Sequence, residues 1–190
     1  MDKTVVRRWK RVLVMVLVLV TVGGGMAFHP AQASARVIQE HLQDGRILDK
    51  SFRALTDSNG YSWQLIAFTD TQAGVTEGPY LRMVGFPGAV SVDRDHPLVV
   101  SFPSGQTLML DDVSFLIFKD GLLPQENVAQ YNIGAVLETL PSPGSLRLAV
   151  PVFKPIESSR NSSEKFSQDS EPLEFSVSKS IVAEWIAIAP

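Results

Sequence analysis

The 190 residues of this chain include no cysteine. That excludes disulfides, a thiol nucleophile, thiolate metal ligation and a lipid-modified N-terminal cysteine. Histidine is scarce, with three in all. No G-x-S-x-G elbow and no Gly-Lys-Ser/Thr phosphate cradle occurs, which removes the commonest signatures of hydrolases and nucleotide binders. Nor is there an apolar run long enough for a bilayer, which takes about 20 residues. The apolar stretch at 12–22 is broken only by Thr21, and even continued through the glycines to Phe28 it stays short of that length.

What is present begins with that stretch. Lys3, Arg7, Arg8, Lys10 and Arg11 precede it, Gly23, Gly24 and Gly25 follow it, and Ala31-Gln32-Ala33 supplies a small-x-small cleavage site. Basic, apolar and small-residue regions in that order read as a secretory signal peptide over residues 1–33, cut between Ala33 and Ser34. Arg7-Arg8 is followed by Trp9-Lys10-Arg11, a poor fit to a twin-arginine signal, so export as an unfolded chain is expected. Cleavage leaves 34–190 as a single domain with no stable membrane insertion. Residues 1–33 hold five of the 17 basic and one of the 20 acidic residues, so the remainder carries about −7. An acidic domain of this kind does not bind nucleic acid by phosphate neutralisation.

Turn signals at roughly ten-residue spacing dominate the first half of the domain and predict strands. Residues 47–55 and 61–69 flank Asp57-Ser58-Asn59-Gly60, an Asn-Gly hairpin turn. Residues 70–78 read as a polar loop, 80–86 as a strand, Pro87-Gly88 as a turn and 89–93 as a short strand. The clearest hairpin is 98–102 and 106–110 around Pro103-Ser104-Gly105. A capping-box-like start at Asn127 with Gln130 predicts a helix over 128–140. Residues 146–152 read as another strand. Residues 157–171 hold six serines and one aromatic, a composition that predicts a disordered loop. A strand at 173–177 and a helix at 179–189 close the chain, with Ile181, Val182, Trp185 and Ile188 on one helical face. The expected fold is α+β, mainly β: an antiparallel sheet or partly closed barrel or sandwich, with a C-terminal helix and one further helix.

Each candidate site has a plain structural reading beside it. Asp93-Arg94-Asp95-His96 is the one run resembling metal ligands, but three or four converging ligands are needed. On a strand His96 would face away from Asp93 and Asp95; with Arg94 between the acids and Pro97 following, the run reads as a charged turn. His41 lies near the new N-terminus, where order is doubtful. Asp111-Asp112 read as a cap for the segment that follows. No catalytic residue, metal ligand or cofactor is assigned. Trp63, Tyr131 and Trp185 fill a core or wall an apolar pocket, and the sequence does not separate these readings. Phe86, Pro87 and Gly88 form either a hairpin corner or an exposed interaction turn.

The segments Asn59-Gly60-Tyr61-Ser62-Trp63-Gln64, Leu81-Arg82-Met83-Val84-Gly85-Phe86-Pro87-Gly88, Asn127-Val128-Ala129-Gln130-Tyr131 and Ala183-Glu184-Trp185 together resemble a family of exported cyanobacterial proteins known only as a domain of unknown function. The resemblance runs from about residue 46 to 187, with 157–171 as an insertion. It implies the periplasm or thylakoid lumen, and it brings no catalytic residues. Three functions follow in order of expectation. The first is a non-enzymatic accessory or assembly factor contacting a membrane protein complex. The second is a carrier of a small apolar ligand, lipid or pigment, and the third an enzyme of unrecognised type. Oligomeric state is not readable.

Overall fold

The computed structural model describes residues 37–116, 124–155 and 166–190. The expected signal peptide and the Ala33–Ser34 cleavage site lie outside the described residues. Alternating apolar segments joined by tight turns fold back on themselves. Thus β1 (Val37–His41), β2 (Ile47–Thr56), β3 (Ser62–Gln72) and β4 (Val75–Val84) form consecutive antiparallel hairpins. The β2–β3 turn is held by Asp57. Its Oδ1 accepts the amides of Asn59 (2.8 Å) and Tyr61 (3.0 Å), and its Oδ2 accepts the Trp63 indole N–H (2.9 Å). Strands β5 (Ser91–Val92), β6 (Leu98–Ser101) and β7 (Thr107–Leu110) follow, then β8 (Val128–Asn132), β9 (Leu146–Pro155) and β10 (Phe166–Val177). Sheet A runs β1-β2-β3-β4-β8. Sheet B runs β10-β9-β6-β7, with β5 also paired to β9.

Both sheets are antiparallel, and the molecule is mainly β with a C-terminal helix, as expected from the turn spacing. One isolated bridge, Asp112 to Tyr131, links their edges, and the sheets do not close into a barrel. Alternation along β3 sends Trp63, Leu65 and Ala67 inward, where they join Leu81 and Met83 of β4, Leu148 and Val150 of β9, and Leu173 and Phe175 of β10 in one core. Trp63 meets Phe175 edge-on at 5.2 Å, tying sheet A to sheet B. Helix α1 (Gly134–Thr139) is short, and helix α2 (Lys179–Ile188) buries Ile181, Val182, Trp185 and Ile188.

Four local expectations are corrected. Residues 70–78 are strand on both sides of a turn at Ala73-Gly74, whose φ angles are +51° and +81°. Their polarity reflects a hairpin tip wet on both faces, not a loop. Residues 128–132 are strand β8, not helix. Pairing of Leu81 with Tyr131 and Met83 with Ala129 fills the open edge of β4, and Gly134 begins α1 where it was expected to weaken a longer helix. The expected disordered loop is strand from Phe166 onward, because ladder bonds use backbone groups whatever the side chains; Ser170 lies opposite Phe153 and Glu171 opposite Val152. The rest of that loop, 157–165, lies outside the described residues. Finally, His41 ends strand β1, paired with Ile47, where order was doubted.

Gly85 follows β4 at a close approach. A Cβ there would meet Val90 Cγ2 at 2.6 Å and the Trp63 ring at 3.0 Å. Gly85→Ala should therefore cost about 1–3 kcal/mol, the usual penalty of overpacking a filled core. Urea unfolding measures it; an unchanged midpoint would mean the core yields freely there.

Candidate functional site

The turn at 86–88 is built as a fixed projection. The Gly85 amide donates to the Asn127 carbonyl (2.8 Å), and Asn127 Nδ2 donates to the Gly85 carbonyl (2.8 Å). One residue on, the Ala89 amide closes a turn on the Phe86 carbonyl (3.1 Å). Pro87 presets the first central position and Gly88, at φ +78°, takes the left-handed second one, the type II arrangement. Phe86 is 59% exposed, so it is not core. Since Val84 pairs with Gln64, Phe86 sits at the same end of sheet A as Tyr61, itself 47% exposed.

The run Asp93 to His96 is a turn, as read, but with a different internal geometry. The chain leaves β5 at Val92, so His96 curls back and its Nδ1 lies 2.7 Å from Asp93 Oδ2. The Asp95 amide donates to Asp93 Oδ1 (3.1 Å), and the Ser170 hydroxyl also bonds this carboxylate. Burial opposes ionisation of Asp93, but the bonds from Ser170, His96 and the Asp95 amide outweigh it and hold its carboxyl below the usual range. Arg94 faces the other way and donates to the carbonyls of Gln125 (2.6 Å) and Val128 (2.7 Å). A cleft of about 630 Å³ opens beside this turn, lined by Pro97, Pro151 and Phe153 together with Asp95 and Asp169. Asp93 is the hub of this group. A Ser-His-Asp relay needs serine bonded to histidine, whereas Ser170 bonds the carboxylate. The arrangement orients the imidazole and leaves the serine without a base. Among the described residues, no three His, Asp or Glu side chains cluster as metal ligands would.

Asp112 caps the 3-10 turn Ser114–Leu116, accepting the Ser114 amide (2.9 Å) and hydroxyl (2.7 Å). Trp63, Tyr131 and Trp185 are each at most 1% exposed and belong to the packed core, which decides between their two readings. Burial, then the charge of Asp112, pushes the Tyr131 phenol far up. Two features were not read from the sequence. Glu184 is buried against Arg53 and Ser51, and Arg82 lies over an aromatic ring on the outer face of sheet A. Neither has a sequence-local signal, since their partners lie far along the chain or on another strand.

No curated protein and no solved structure is similar to this chain at a meaningful level. A family model described as Protein of unknown function (DUF3122) matches residues 35–188, nearly the whole described domain. The chain therefore belongs to that family.

Proposed function

We propose that this protein is an exported, non-enzymatic accessory factor that works by contacting a membrane protein complex from the periplasmic or lumenal side. The observation that carries this reading is Phe86, a large apolar ring held out on a braced turn. Aromatic residues, phenylalanine among them, are enriched at protein–protein interfaces relative to the rest of the surface. No helix among the described residues is long and apolar enough to cross a membrane, so contact with a complex would come through the folded domain.

A second reading, a carrier of a small apolar ligand, has one seat in its favour. A cleft of about 570 Å³ lies between α1 and α2, walled by Pro79, Leu137, Leu140 and Ile186. Mass spectrometry of the protein purified under native conditions would reveal a retained lipid or pigment.

The contact reading is tested by complex-resolved gels of solubilised membranes. A fraction of the protein should co-migrate with a membrane assembly, and Phe86→Asp should reduce that fraction by more than about half. The variant should keep its Tm within about 2 °C, because exposed substitutions usually stay within ±0.5 kcal/mol. Migration only as free protein, even after mild cross-linking, would remove the contact reading.

A further inference from the structure

The outer face of sheet A, turned away from sheet B, carries an arginine that no carboxylate pairs with among the described residues. Register places Phe52, Ile66, Arg82 and Gln130 in one cross-strand row, and Lys50, Phe68, Tyr80 and Asn132 in the next. Leu116 of the 3-10 turn joins Phe68, Tyr80, Arg82 and Gln130 in lining a cleft of about 300 Å³. Within it the guanidinium carbon of Arg82 lies 5.0 Å from the centre of the Phe68 ring. Its Nε and Nη2 both donate to Gln130 Oε1, at 3.2 and 3.0 Å. That acceptor is neutral, and among the described residues no carboxylate pairs with Arg82. Burial draws the group below its ordinary pKa. Arg46, at the far end of the cleft, shows the contrast: its bonds to Asp44 and Asp70 raise it.

A half-buried guanidinium that only a neutral amide and a ring hold is an unsatisfied charge. Its planar fork suits a carboxylate better than any other common anion except phosphate. The other end of the cleft has the opposite character. Asp70 stands two residues beyond Phe68 on β3, about 7 Å at the rise of a strand. Its Oδ2 meets Arg46 Nη1 at 3.0 Å, while its Oδ1 has no hydrogen-bond partner. Glu77 pairs across from Asp70 and is exposed, because the register shift between Phe68 and Asp70 brings it to the same face as Tyr80. The Tyr80 phenol is raised by burial first and by Glu77 and Asp70 next, so it feels both acids. Two arginines, one aspartate and one glutamate line the cleft, and they leave it neutral overall but polarised from end to end.

We propose that this cleft binds a small zwitterion of the α-amino-acid type. Its carboxylate pairs with Arg82, its ammonium lies toward Glu77 and Asp70, and an apolar side group rests against Phe68 and Leu116. The volume suits this class, since small-molecule sites begin at about 300 Å³. A lone carboxylate would leave the acidic end unmatched, and a lone ammonium would leave Arg82 unpaired. The site is separate from the Phe86 turn and does not depend on the contact reading.

The test is calorimetric titration of the purified protein with phenylalanine, 3-phenylpropanoate and phenethylamine. These three share a ring and differ only in their charges. Phenylalanine should bind with Kd of about 1 mM, reasonable for a ligand of its size, and each single-charge analogue should bind about tenfold more weakly. Arg82→Gln should reduce phenylalanine affinity about tenfold or more. Glu77→Gln, a change at an exposed position that leaves Arg82 in place, should weaken phenylalanine and not 3-phenylpropanoate. No heat or saturable signal with phenylalanine up to about 20 mM would overturn the proposal. So would equal binding of phenethylamine and phenylalanine, or unchanged affinity in a folded Arg82→Gln protein.

Discussion

Replacing Trp185 with alanine should destabilise the domain by about 3–5 kcal/mol, among the largest losses a single core truncation gives. The ring is 1% exposed and stands in the middle of the α2 stripe, between Ile181 and Val182 on one side and Ile188 on the other. Removing it leaves a void between α2 and strands β2 and β3, against which the helix packs. Its indole N–H is buried without a partner, so it contributes packing and no hydrogen bond. Trp185→Phe should therefore lose less than half as much, since it keeps most of the ring and removes an unpaired donor. Denaturant unfolding of both variants checks this. Equal losses would mean the N–H has a partner in solution, and a negligible loss from alanine would place α2 outside the cooperative fold.

Glu184→Ala should cost about 3–5 kcal/mol by a different route, the stranding of a partly buried cation. Glu184 is 4% exposed. Arg53 Nε reaches both of its oxygens at 3.1 Å, Arg53 Nη2 bonds Oε1, and the Ser51 hydroxyl donates to Oε2. Alanine leaves Arg53 inside with nothing to neutralise it. Removing both charges with Glu184→Leu and Arg53→Met should recover most of the loss, because a well-packed apolar pair often does as well as a buried ion pair. Chemical denaturation of Glu184→Leu, Arg53→Met and the double closes the cycle. A double variant as unstable as Glu184→Ala would show that the pair's shape, more than its charge, holds the helix to β2.

The sequence made some of this legible because the signals were local. Pro103-Ser104-Gly105 marks its hairpin through conformations that only those residues take readily, and the α2 stripe repeats at helical spacing. Strand β8 was missed because Val128-Ala129-Gln130-Tyr131 suits a strand or a helix equally well in isolation. The open edge of β4 decides between them, and that edge exists only in the fold. The hairpin at Ala73-Gly74 was missed for the opposite reason, as polar residues on both faces resemble a loop until the ladder bonds are seen. The exposure of Phe86 is likewise tertiary: Gly85 must pass against Trp63 and Val90 before the next residue is forced outward. Arg82 could not be read at all. A charge is noticed in sequence when its partner is near, and here the informative fact is that no carboxylate among the described residues pairs with it.

The link between α2 and β2 joins Glu184 to residues 131 and 133 positions earlier in the chain. Strands β1 to β4 can pair as they emerge, each with its sequence neighbour, yet the inner side of β2 and β3 receives its last cover only with the final turns of α2. Thr69 of β3 even waits for the Ile188 carbonyl to satisfy its hydroxyl (3.3 Å). Completion of the native state thus waits for residues 179–188 to reach strands made more than a hundred residues earlier, and such long-range closure is slow. Until α2 docks, the inner side of β2 and β3 stays open to water, and its apolar residues are available to neighbouring chains in the meantime.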